Sequence, residues 1–98
     1  MKQLYLYILL DPDKPEFCKL GITINIQNRL RAYRTANPNC SFYKTYPIND
    51  KIHEKRLLNI LKDTFTVRSE YIHCNPYIVS NIVQSYLDEL SEITRPRL

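Results

Sequence analysis

Glycine occurs once in the 98 residues, at Gly21. With six prolines, 44% hydrophobic and 24% charged residues around it, that scarcity marks a globular chain and not a disordered or low-complexity one. Cysteine is scarce too. Cys18, Cys40 and Cys74 are an odd number without a Cys-x-x-Cys pair, which fits reduced thiols in an intracellular compartment better than a disulfide framework or a zinc ribbon. No apolar run is long enough to cross a bilayer. The opening stretch is short, is interrupted by tyrosines, lacks a cleavage-site pattern and is followed by charged residues, so it does not read as a signal peptide. The expectation is an intracellular protein, cytoplasmic or nuclear, with no membrane partner. No internal repeat is visible, and the length suits one domain, taken as 1–93, with a basic tail at 94–98.

What is present is positive charge and tyrosine. Fourteen lysines and arginines against ten acids give a net charge of +4, which permits a polyanionic partner without requiring one. Placement adds weight. Arg29, Arg31 and Arg34 fall on one predicted helix, Lys51, Lys55, Arg56 and Lys62 on another, and Arg95 and Arg97 in the tail. Eight tyrosines add hydroxyls suited to phosphate contacts. The plain alternative is a solvated surface.

The stretch from Gln3 to Leu9 alternates tyrosine with leucine and isoleucine, a strand pattern. Two prolines and two aspartates in 11–16 make a turn, and Phe17 to Thr23 reads as the returning strand. Tyr5 and Tyr7 then share one face, as do Lys19 and Gly21 in the partner strand. Asn25 can cap a helix from Ile26 to about Thr35, ended by Asn37-Pro38-Asn39. Ser41 to Tyr46 is a third strand. A second helix runs from about Asp50 to Lys62 with Leu57, Ile60 and Leu61 buried. Thr66 to Cys74 is extended or irregular. A third helix begins at Pro76 behind the Asn75 cap, its core face being Ile78, Val79, Ile82, Val83, Tyr86 and Leu90. The order β-β-α-β-α-α, with a possible further strand before the last helix, predicts an α+β fold: a small three-stranded, mainly antiparallel sheet flanked by three helices.

Taken singly, the polar residues have ordinary explanations. Tyr5 and Tyr7 suit any strand, Lys19 could guard an edge strand, and Gly21 could end one. Arg29 could be a helix-surface charge and Glu70 an exposed polar residue. His53 and His73 read as isolated. His73 and Cys74 are adjacent in extended chain, so they point apart and make a poor zinc pair.

Taken in order, these residues resemble the GIY-YIG nuclease superfamily over about residues 3 to 87. Tyr5-Leu6-Tyr7 stands at the first motif, with Tyr7 on its tyrosine; Lys19-Leu20-Gly21 stands at the second, with lysine for the usual tyrosine. The run Cys18-Lys19-Leu20-Gly21-Ile22-Thr23 is similar to a divergent branch common in phages and large DNA viruses. Arg29 matches the helix arginine, and Glu70-Tyr71-Ile72 the late element carrying a metal-binding carboxylate. Glu54 fits that branch's middle helix.

The resemblance implies an endonuclease hydrolysing phosphodiester bonds in DNA, duplex or branched, in a setting such as DNA repair or recombination. Glu70 would hold Mg²⁺ or Mn²⁺ and Arg29 would offset the phosphate charge. Tyr7 would contact the attacking water or the phosphate, with general base as one role open to it. Lys19 would help it with a positive charge, or serve as base if its own pKa were lowered. Tyr33, four residues after Arg29 on the same helical face, joins the catalytic set, where many relatives have histidine. Tyr5, Gly21, Arg31 and Asn81 would contact nucleic acid. In so short a chain, sequence specificity is expected to come from a larger targeting partner or from a homodimer, or to be slight. Two other readings fit the same residues: a module on this fold that binds nucleic acid without cutting it, and a protein-interaction domain with a tyrosine-rich contact patch.

Overall fold

The computed structural model describes residues 2–94, so Arg95 and Arg97 of the expected tail lie outside the described residues. Strand β1 (Leu4–Leu10) and strand β2 (Cys18–Thr23) form an antiparallel hairpin in which Tyr5 opposes Thr23 and Tyr7 opposes Gly21. Asp11 shapes the loop between them: its carboxylate accepts from the Asp13 amide at 2.9 Å and its carbonyl from the Lys14 amide. Helix α1 (Ile26–Ala36) starts where the Asn25 side chain accepts from the Asn28 amide. It ends at Asn37, whose side chain reaches back to Asp11 and Asp13.

Strand β3 (Ser41–Ile48) pairs with the other side of β1. It runs two residues further than the sequence suggested, through Pro47. β3 is an edge strand, where a residue without an N–H is tolerated. Helix α2 (Ile52–Lys62) follows, then the two-residue strands β4 (Val67–Arg68) and β5 (Tyr71–Ile72), then helix α3 (Pro76–Thr94) behind the Asn75 cap. The sheet order is β3-β1-β2-β5-β4, all antiparallel. The α+β class holds, but the sheet has five strands rather than three. The segment read as extended or irregular supplies the other two. β2 lies between β1 and β5, so Lys19 is not an edge-strand charge.

Alternation of side chains divides the core in two. Leu6, Ile8, Cys18, Leu20 and Ile72 meet Leu57 and Leu61 of α2 and Val79 and Val83 of α3 on one face. Tyr7 and Leu9 meet Cys40, with Leu30 and Tyr33 of α1 and Phe42 packed on them, on the other. β1 is therefore buried on both sides.

The helix stripes need correction. The buried row of α2 is His53, Leu57 and Leu61, spaced by four, while Ile60 is 44% exposed. Ile78 of α3 is 45% exposed, about a hundred degrees around the helix from Val79. Both border a shallow groove with Asn81, Ile82 and Ser85. His53 is not isolated: Nδ1 meets the Tyr86 hydroxyl at 2.8 Å and Nε2 the Asn49 side-chain oxygen at 3.1 Å. Cys18, Cys40 and Cys74 are free thiols. Burial, and then Cys74, push Cys18 up to about 11. No described helix is long and apolar enough to cross a membrane.

Candidate active site

The hairpin register places the Tyr7 phenol directly over Gly21. A Cβ added at that glycine would lie 2.3 Å from the Tyr7 hydroxyl oxygen. Gly21 has no positive φ, so its value here is the missing side chain. The close approach is made by a tyrosine ring of the same sheet.

Tyr7 is 1% exposed and packs on Phe42 at 4.8 Å. Its hydroxyl is 2.7 Å from that of Tyr33, half-buried on α1. Burial raises the Tyr7 pKa, and Tyr33 and Glu70 raise it further; the charge of Arg29 pulls it down without reversing the direction. Tyr7 thus keeps its proton near neutral pH, and the Tyr33 hydroxyl is the more exposed end of the pair.

Lys19 lies on the same face as Gly21, two residues back along β2. Its Nζ is 3.4 Å from Glu70 Oε2, 5.1 Å from the centre of the Tyr33 ring and 5.3 Å from that of Tyr71. Desolvation pulls its pKa down, but Tyr33, Glu70 and Tyr71 outweigh it and leave the value raised. The lowered pKa that a lysine base requires is absent, and Lys19 is an ammonium donor.

Glu70 is carried by the turn between β4 and β5. Ser69 before it has φ 57°, and the Glu70 carbonyl accepts from the Leu20 amide at 3.0 Å. A left-handed non-glycine residue in a two-residue turn is a local strain that fixes where the carboxylate leaves the sheet.

Arg29 is exposed and makes no side-chain hydrogen bond or ion pair among the described residues. It lies close enough for its charge to act on Tyr7. Tyr5 is half-buried one strand step from Tyr7, while Arg31 is exposed and bonded to the Asn28 side chain. Asn81 does not join this set. It is exposed on α3, which packs on the opposite face of the sheet.

Two contributors were underweighted by sequence. Tyr71 lies between Lys19 and Lys14, with the Lys14 Nζ 4.2 Å from its ring centre; adjacency to Glu70 was its only signal. Glu54 is half-buried on α2, within electrostatic reach of Glu70 and Lys19. Phe42 gave no signal beyond being an aromatic strand residue.

The arrangement sets two cations, two hydroxyls and a carboxylate at one place, which suits a phosphate with charge to be offset. The family model for the T5orf172 domain matches residues 4–94. The chain belongs to the T5orf172 domain family. That family is associated with nucleases, so a nuclease-like, nucleic-acid-directed role is the coarse functional assignment. No curated protein and no solved structure matches the chain.

In this T5orf172 domain no three His, Cys, Asp or Glu side chains converge as a metal cluster among the described residues. Glu70 still fits a hard cation. Its side chain is 40% exposed, which leaves room for the waters and substrate oxygens that complete a Mg²⁺ shell held by one or two carboxylates.

Proposed function

We propose that this T5orf172 domain is a metal-dependent endonuclease of the GIY-YIG type, hydrolysing phosphodiester bonds in duplex or branched DNA. The observation that carries this reading is the linked set Tyr7–Tyr33 and Lys19–Glu70, with hydroxyl to hydroxyl at 2.7 Å and ammonium to carboxylate at 3.4 Å. Glu70 would hold Mg²⁺ or Mn²⁺, which when bound supplies Lewis-acid stabilisation of the developing oxygen charge.

The remaining chemistry belongs to the side chains. Arg29, exposed and without a partner among the described residues, offers a planar guanidinium to the non-bridging oxygens. Lys19 adds a second positive charge. Tyr7 and Tyr33 act as a hydrogen-bonded pair: Tyr33 meets the water or phosphate oxygen, and buried Tyr7 fixes its orientation through the shared hydrogen bond. Phe42 and Gly21 hold the Tyr7 ring in that place.

Purified protein incubated with labelled duplex, branched and single-stranded DNA, and with RNA, in Mg²⁺ or Mn²⁺ is expected to give cleavage of DNA that EDTA abolishes. Absence of product from every substrate in both metals would refute the enzymatic reading. A module that binds without cutting is favoured by one observation, the Lys19 ammonium already occupying Glu70. Salt-dependent binding that survives Glu70→Ala, with no product from wild type, would establish it.

A further inference from the structure

The register of the sheet continues the site past Glu70. Lys19 of β2 stands opposite Tyr71 of β5, and Tyr71 stands opposite Arg68 of β4. Residues opposed in this way project from the same face. Their neighbours along the strands, Cys18, Leu20, Ile72 and Val67, pack into the core on the other face. Lys19, Tyr71 and Arg68 therefore form a row on the face that carries Tyr7 and Tyr33, running from the site to the β4 edge of the sheet. The turn that aims Glu70 joins the last two members of that row.

A further cation reaches the row from outside the sheet. Lys14, in the loop between β1 and β2, places its Nζ 4.2 Å from the centre of the Tyr71 ring, and the Lys19 Nζ lies 5.3 Å from the same centre. The backbone of Lys14 is held on both sides: its amide donates to the Asp11 carbonyl, and its carbonyl accepts from the Phe17 amide. The acids of that loop are engaged elsewhere. Asp11 and Asp13 accept from the Asn37 side chain, and Glu16 lies 3.4 Å from His73. Lys14 and Arg68 are exposed, and neither makes an ion pair among the described residues.

Cations placed in a row beside a phosphate site, with no acid neutralising them, attract an anion whose charges repeat along a line. Arg68 starts two strand spacings from Lys19, about 10 Å away, with Tyr71 between them. We propose that Lys14 and Arg68, set around Tyr71, bind backbone phosphates flanking the scissile one, so that the cut strand crosses β2, β5 and β4. The inference deepens the proposed function, and rests on it for the place of the scissile phosphate.

The test measures binding of the full chain to fluorescently labelled duplex DNA over a series of salt concentrations, in EDTA so that nothing is cut. Each phosphate contact adds about 0.9 to the slope of log K against log salt. Lys14→Gln and Arg68→Gln should each lower that slope by about 0.9, and Lys14→Arg should keep it. Lys62→Gln, exposed on α2 at the opposite face, should leave it unchanged. The proposal is overturned if either glutamine substitution leaves the slope at the wild-type value, or if Lys62→Gln lowers it equally. Cleavage in Mg²⁺ is followed in parallel. Should wild type cut nothing while the slopes fall as described, the nuclease reading fails and the phosphate contacts stand as those of a binding module. Should wild type cut DNA while the slopes stay unchanged, the flanking contacts alone fail.

Discussion

Gly21 shows both the reach and the limit of the sequence at the scale of single residues. Its rarity pointed to the right neighbourhood, and its occupant turned out to be the Tyr7 ring. Which side chain opposes it depends on hairpin register, and a slip of one residue across the 11–17 loop would bring Leu6 or Ile8 there instead. Since a Cβ would sit 2.3 Å from the Tyr7 hydroxyl oxygen and 2.4 Å from Cζ, Gly21→Ala should cost about 1–3 kcal/mol of overpacking. Thermal unfolding should show a loss of roughly 4–8 °C per kcal/mol; an unchanged Tm would mean the ring is free to move. Glu54 gives a pH signature. Its proton is held more tightly in the fold than in the unfolded chain. It therefore supports the fold only below the ordinary carboxylate value, about 4.3, and that support is lost as pH rises through the raised value. Glu54→Gln should accordingly raise Tm at pH 7 more than at pH 4, and the reverse order would contradict the desolvation of its carboxylate on burial.

At the scale of elements, the hairpin, α1 and the starts of β3 and α3 were legible because each carries a period or a cap. Asn25 and Asn75 do cap α1 and α3. Thr66 to Cys74 was legible as extended, with one further strand allowed, but not as the pair β4 and β5, since two residues are too few to show alternation and their pairing is set by β2. The outward turn of Ile60 and Ile78 was hidden for a related reason: helical spacing marks an apolar sector, and the neighbouring elements decide how much of it is covered. The β4–β5 turn matters most, because it aims Glu70. Ser69 at φ 57° tolerates a left-handed backbone that a β-branched residue resists. Ser69→Val should cost about 0.5–3 kcal/mol in denaturant unfolding and reduce cleavage beyond that loss, by displacing Glu70. Full activity in a folded Ser69→Val protein would show that the turn does not set the carboxylate.

For the molecule as a whole, four elements converge on one site: β1 gives Tyr7, β2 gives Gly21 and Lys19, α1 gives Arg29 and Tyr33, and the β4–β5 turn gives Glu70. The order of motifs along the chain pointed to these, because the hairpin, its following helix and the late carboxylate are fixed in sequence. It misplaced Asn81, which a helix on the other face of the sheet carries away. The central claim is that Arg29 and Glu70 act on one phosphate. Single-turnover cleavage of labelled DNA in Mg²⁺ by wild type, Arg29→Ala and Glu70→Ala tests it most directly, with DNA binding measured in parallel. The account predicts that each substitution lowers the cleavage rate by roughly a hundredfold or more, in proteins that still fold and still bind DNA. Cleavage by either variant at the wild-type rate would contradict it.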